Sequence, residues 1–294
     1  MIGYQAPLYG ATATLLSLCS SLEKKKCSFE AAPTAGNSSL FHSAINIDQM
    51  ASDKPTIVLL HGLGATGRVW DSFIDTADWS GRVIAPDLCG HGSAPWSGSY
   101  SFGTMAAEVS KLLEVDEPYV VLGHSMGGGV GAALATGFFG TTPLLLGTIG
   151  VKLAWAEAEL SKLPEIAGKP PRIFDDQAGA ADWFLKLSGL IGVADIDSTL
   201  VESGVMQVES GWKLCQDPRT VLVVQGSPPF AQLFSGLLAP VHMSLGENDP
   251  LVSSSDHVGM PVNKPHVFTG LGHNVMVEDP LATWAWFSNL MSLS

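Results

Sequence analysis

Gly123-His124-Ser125-Met126-Gly127 sets a serine midway between two glycines. The apolar run Tyr119-Val120-Val121-Leu122 leads into it, and a buried helix should follow. The five residues therefore read as a turn from a strand into a helix. Such a turn is too tight for side chains at its flanking positions, and it leaves the serine hydroxyl exposed at its apex. The helix N-terminus beside it favours negative charge that develops nearby. A hydroxyl is a poor nucleophile until a base takes its proton. The chemistry implied is attack by Ser125 on an electrophilic carbon, assisted by a histidine. Taken alone, the pattern also fits a Gly-rich packing turn with an incidental serine.

Eight histidines compete for the role of base. His42 lies upstream of any recognisable pattern, and His61 and His91 sit in Gly-rich loops before Ser125. The His124 side chain should diverge from its neighbour at a sharp turn. His242 falls inside an expected strand, and His257 and His266 lack a loop setting. His273, in Gly270-Leu271-Gly272-His273-Asn274, follows the last expected strand and precedes the last helix. That puts it at the carboxyl edge of a sheet, where sites in open α/β sheets assemble. Asp249, in Gly246-Glu247-Asn248-Asp249-Pro250, follows the preceding strand and is the expected orienting acid. It would act on the imidazole nitrogen away from the serine. Asp256 is the fallback. The alternative position after the strand before that offers Gly150, Val151 and Lys152, with no carboxylate before Glu157.

The elements that must position these residues repeat one grammar. Strands are expected at 56–60, 82–85, 119–122, 144–146, 241–245 and 266–268. Helices are expected at about 68–76, 101–115 and 280–291, the last with Trp284, Phe287 and Leu290 on one face. Apolar strands alternating with helices through short loops predict a parallel sheet covered on both faces. From 151 to about 238 the alternation stops. Helices are expected at 154–163, stopped by Pro164, and at 182–190, with breaks at Pro170-Pro171 and Pro228-Pro229. We read 151–238 as a largely helical insertion, 41–150 and 239–294 as the core, and 1–40 as an N-terminal extension.

With these residues in place, the chain resembles the α/β-hydrolase superfamily from about residue 55 to its end. The resemblance rests on the His61-Gly62 loop, on Asp87-Leu88-Cys89-Gly90-His91-Gly92-Ser93, on the serine turn and on Asp249 and His273 in that order. It implies a doubly wound, mostly parallel sheet with an inserted helical cap. It implies an oxyanion hole built from the backbone amides of Met126 and Leu63, with Gly64 a further candidate; backbone donors suit because they are fixed before charge appears. A serine nucleophile sets the chain apart from members that use aspartate. The expected activity is hydrolysis of a carboxylic ester or lactone through an acyl-enzyme, with no metal or other cofactor. Two rivals remain: a carbon–carbon bond hydrolase, for which Arg172, Lys186 and Arg219 could hold a second carboxylate, and a hydrolase-fold ligand receptor. Trp155, Trp183, Phe184, Trp212 and Phe234 in the cap are expected to face an apolar or aromatic substrate.

Composition narrows the partners. The 294 residues carry 15 Lys plus Arg against 28 Asp plus Glu, a net charge of −13, which argues against nucleic-acid backbone and anionic membranes. Hydrophobic residues make up 46% and charged ones 15%, enough for a large buried core. Cys19, Cys27, Cys89 and Cys215 show no metal-like spacing and read as thiols of a cytoplasmic protein. The mildly apolar stretch 11–22 is not preceded by a cation, so a secretory leader is not expected.

Overall fold

The computed structural model describes residues 54–225, 230–258 and 264–292. The N-terminal extension, Cys19, Cys27, His42 and Pro228-Pro229 lie outside the described residues.

The first half of the core runs β1 (Thr56–Leu60), α1 (Asp71–Thr76), β2 (Val83–Ile84), α2 (Phe102–Ser110), β3 (Tyr119–His124), α3 (Met126–Ala135) and β4 (Leu146–Ile149). The segment that follows holds α4 (Glu157–Leu160), α5 (Leu163–Ala167), α6 (Gln177–Leu187), α7 (Thr199–Ser203), β5 (Val205–Val208), β6 (Gly211–Leu214) and α8 (Phe230–Leu233). The core then resumes with β7 (Val241–Gly246), β8 (His266–Phe268), α9 (Val275–Glu278) and α10 (Pro280–Ser292).

Six strands form one sheet in the order β2-β1-β3-β4-β7-β8, and every pairing is parallel. Successive side chains on a strand point to opposite faces, so an all-apolar strand feeds two cores. On β1, Val58 and Leu60 join a cluster with Phe102, Met105 and Val130, while Ile57 and Leu59 join Trp70, Phe73 and Phe287. Thus α2 and α3 cover one face and α1 and α10 the other. Trp70 and Phe287 have no exposed surface, and each large apolar side chain so buried contributes roughly 1.5–3 kcal/mol. The chain leaves β1 toward β2, then returns to place β3 on the other side of β1. Loops leaving β1 and β3 therefore diverge at one point of the sheet edge, and a crevice opens at such a switch.

Three local readings change. Pro164 does not stop a helix; it sits in the first turn of α5, where a missing N–H costs nothing. β4 starts later than Leu144, which is half exposed, and extends through Gly147-Thr148-Ile149. Gly147 belongs there because a Cβ would stand 3.1 Å from both Leu122 and Phe287. The segment between β4 and β7 also contains strands. β5 and β6 pair antiparallel across Glu209-Ser210, and Phe174 bridges to Trp212 on the hairpin's other side.

Candidate active site

Ser125 stands between the end of β3 and the start of α3 with φ 49° and ψ −112°. A side-chain-bearing residue there is strained, and such strain persists only where the surroundings hold it. They do. The Ser125 amide donates to Ile149 O at 2.8 Å, and its carbonyl accepts from Gly128 N at 3.0 Å. The flanking glycines are required by close approach. A Cβ on Gly123 would lie 2.5 Å from Gly127 O, and one on Gly127 would strike Leu60 O.

Asp249 follows β7 and His273 follows β8. The His273 Nδ1–H donates to Asp249 Oδ2 at 2.8 Å. The Asp249 side chain is wholly buried, and its other oxygen accepts from the amides of Leu251 at 2.8 Å and Val252 at 3.2 Å. His273 Nε2 bonds to no group among the described residues. The end of β4 adjoins both partners. Ile149 holds the Ser125 amide, while a Cβ on Gly150 would come within 3.0 Å of the His273 ring and 3.1 Å of Asp249. The position where a carboxylate was sought after β4 thus carries a glycine, and the absent side chain leaves room for the pair.

The loop after β1 closes the site from the other side. A Cβ on Gly62 would meet Ser125 Cβ at 3.3 Å and His124 Nδ1 at 2.7 Å. His61 braces this loop, donating from Nδ1 to Gly62 O at 2.8 Å while Nε2 accepts from Leu88 N at 2.9 Å. One nitrogen donates and the other accepts, so the ring is neutral, and burial lowers its pKa. The amides of Leu63 and Met126 donate to no acceptor among the described residues.

Four contributions were not foreseen. The His124 ring lies 4.6 Å from that of His273, and its Nε2–H donates to His273 O at 3.1 Å. Burial, then the neighbouring His273, pushes the His124 pKa well down, so it is a neutral prop. Glu278 accepts from Gly272 N at 2.6 Å and from Asn274 N at 3.0 Å, pinning the backbone on both sides of His273. Asn274 donates to the carbonyls of Ser188 and Gly189 beyond α6. The fourth is the brace from His61. No local sequence signal singles out Glu278, one of two adjacent acids, Glu278 and Asp279, ahead of Pro280.

The other named residues fall in different surroundings. Asp256 accepts from Ser253 N at 2.7 Å and caps its own short turn. Trp155 lines a cavity of about 630 Å³ with Leu153, Leu160, Val224 and Phe230. Met126, Leu153, Trp155 and Phe230 share one apolar cluster. Phe234 is buried edge-on against Phe230. Phe184 is buried in a satellite core with Leu185, Val201 and Leu214, against which Trp183 and Trp212 pack. Arg172 lies over the rings of Phe174 and Trp183, Lys186 over Trp183, and Arg219 pairs with the buried Asp217. His91 is fully buried and lies edge-on to His61. Cys89 and Cys215 are free thiols. Among the described residues no group of three or more His, Cys, Asp or Glu could hold a metal ion, and no helix is long and apolar enough to cross a membrane.

Residues 57–286 match the model of the alpha/beta hydrolase family. The chain belongs to that family. The chain is 42% identical over 94 residues to a magnesium-chelatase 30 kDa subunit of Rhodobacter capsulatus, covering 30% of this chain and 33% of that protein. It is 33% identical over 94 residues to lipase LipV of Mycobacterium tuberculosis, covering 31% and 36%. The match thus spans about a third of each relative's length. A solved Mycobacterium tuberculosis esterase shares its fold with a TM-score of 0.66 at 22% identity, covering 82% of this chain and 86% of that one.

Proposed function

We propose that this protein is a serine hydrolase that cleaves a carboxylic ester or lactone of an apolar or aromatic small molecule. The observation that carries this reading is the His273–Asp249 pair, its carboxylate wholly buried, held beside the strained Ser125 turn by the end of β4. Asp249 fixes the imidazole so that Nε2 is the acceptor. His273 takes the Ser125 proton as Oγ attacks the carbonyl carbon. The amides of Leu63 and Met126 stabilise the oxyanion, having no other acceptor to satisfy. The His273 proton then passes to the departing alkoxide, the C–O bond breaks, and an acyl-Ser125 ester remains. His273 next deprotonates water, which attacks the acyl carbon and releases the acid and Ser125.

The substrate class rests on the cavity wall. Leu153, Trp155, Leu160, Val224, Phe230 and Ala231 give it apolar surface, and Glu157, Ser161 and Gln225 complete the lining; ligand pockets are mostly apolar with a few polar groups. Residues 151–238, on this reading, form a cap over the site. Arg219 is neutralised by Asp217, and Arg172 and Lys186 lie over aromatic rings. None of the three is poised to hold a second carboxylate, which favours ester or lactone over carbon–carbon cleavage. The similar lipase and esterase favour ester chemistry too. Turnover of p-nitrophenyl esters, lactones and vinylogous diketones tests this. Each added pair of acyl carbons should raise kcat/KM roughly tenfold until the cavity fills. Flat or falling values from acetate to hexanoate, with good turnover of a dicarboxylate diketone, would overturn the reading.

A further inference from the structure

The Asn274 side chain is wholly buried directly after His273, yet it serves neither Asp249 nor the imidazole. Its Nδ2 donates to Ser188 O at 3.1 Å and Gly189 O at 3.0 Å. Those carbonyls lie just past the end of α6, where a helix leaves its last carbonyls without intrahelical partners. The ending is a sharp one. Leu190 N turns back to Leu185 O at 2.8 Å, and Gly189 has φ +71°. Asn274 therefore caps, across the chain, a helix more than eighty residues earlier in sequence.

The capped turn borders the site on two sides. A Cβ on Gly64, in the loop expected to hold the oxyanion, would stand 3.1 Å from Leu187 Cγ. A Cβ on Gly189 would stand 3.2 Å from Asn274 Nδ2 and 4.0 Å from His273 Cδ2. Leu187, Ser188 and Gly189 thus run from the β1 loop to the imidazole. The other end of this region is tied separately, by Thr66 Oγ1 and Ser203 Oγ at 2.6 Å.

We propose that Asn274 is a positioning residue: its buried amide latches the C-terminal turn of α6 onto the His273 loop, and so sets Leu187 as one wall of the substrate site. The inference rests on the proposed catalytic role of His273. Both ends of the latch are needed. Removing the donors leaves the carbonyl of the buried Ser188 and that of the more exposed Gly189 without their partner, and adding a Cβ at Gly189 pushes the turn off the amide.

The test uses Asn274→Leu, branched alike but larger and without donors, Gly189→Ala, and the double variant; Asn274→Ser replaces the leucine variant if that does not fold. Amide hydrogen exchange over 185–190 reads the latch directly. It should quicken about tenfold in each single variant, the scale of one to two net hydrogen bonds, while amides of β3 keep their wild-type rates. Turnover reads its consequence. For p-nitrophenyl butyrate kcat should fall about tenfold with a smaller change in KM, preference for butyrate over acetate should narrow, and the double variant should resemble either single one. Unchanged exchange over 185–190 in Asn274→Leu, or losses that multiply in the double variant, would overturn the latch. Labelling of wild-type Ser125 by a fluorophosphonate is measured alongside. If the wild type is neither labelled nor active, the catalytic reading fails, while the exchange data still decide the latch.

Discussion

Asp249 Oδ2 lies 2.8 Å from His273 Nδ1, and the same carboxylate takes two backbone amides on its other oxygen. The aspartate is held by its own loop as firmly as it holds the histidine. Held in this way, the carboxylate accepts from Nδ1 and presents the imidazole in one tautomer.

Replacing Asp249 with Asn keeps the shape but can leave the wrong imidazole nitrogen protonated. We expect kcat for a p-nitrophenyl ester to drop about 10²–10⁴-fold. Asp256→Asn should stay near wild type, because Asp256 only caps the turn at Ser253. Steady-state kinetics on both variants decide it, and a larger loss at Asp256 would assign the acid differently.

The serine turn should be intolerant of a single methyl group. A Cβ at Gly127 would drive into the Leu60 carbonyl at the end of β1. Gly127→Ala should cost about 3 kcal/mol. Gly103, on α2, has nothing nearer such a Cβ than Phe139 at 3.4 Å and Ser101 Oγ at 3.9 Å, and Gly103→Ala should be neutral or stabilising by up to about 1 kcal/mol. Urea midpoints of the two variants should therefore move in different directions or by very different amounts.

Stability should fall on mild acidification. His61, His91 and His124 are fully buried, and burial lowers the pKa of each, that of His91 from 6.5 to about 3. The unfolded chain binds these protons below pH 6.5 while the folded chain does not. Stability is whole above 6.5 and declines as pH falls toward the folded values. For His91 the slope is about 1.4 kcal/mol per pH unit, or about 2 kcal/mol between pH 6.5 and 5. Urea unfolding at several pH values measures it. His91→Leu should flatten the slope by that share, and an unchanged slope would remove His91 from the account.

Trp155 gives the most direct handle on the cavity. Trp155→Ala should lower kcat/KM for hexanoate at least tenfold while leaving acetate within about threefold, since only the longer chain would reach the indole. Equal losses on both esters would place Trp155 in the support of the fold rather than in the wall.

The sheet and the triad candidates were legible for one reason. Ser125, Asp249 and His273 each stand in a loop directly after an apolar strand, and strand ends carry strong local signals. The loop after β1 was legible through its glycines. What stayed hidden acts through backbone or across the chain. Glu278 and His61 bond only to main-chain groups of loops, and Asn274 caps a helix far away in sequence. No local pattern marks such partners. The β5–β6 hairpin was hidden because its strands have four residues each, and the turn Glu209-Ser210 lacks the usual Asn-Gly signal. Trp183 and Phe184 read as pocket aromatics by composition, but the hairpin that packs against them gives them a core of their own.

The central claim is that Ser125 carries the acyl group. Intact-mass and peptide mapping after brief reaction with a fluorophosphonate or a slow-turnover ester should show one adduct, on the peptide containing Ser125. The same treatment of Ser125→Ala should show none, with ester turnover down by several orders of magnitude. An adduct on another residue, or a Ser125→Ala protein that still cleaves esters at the wild-type rate, would contradict the account.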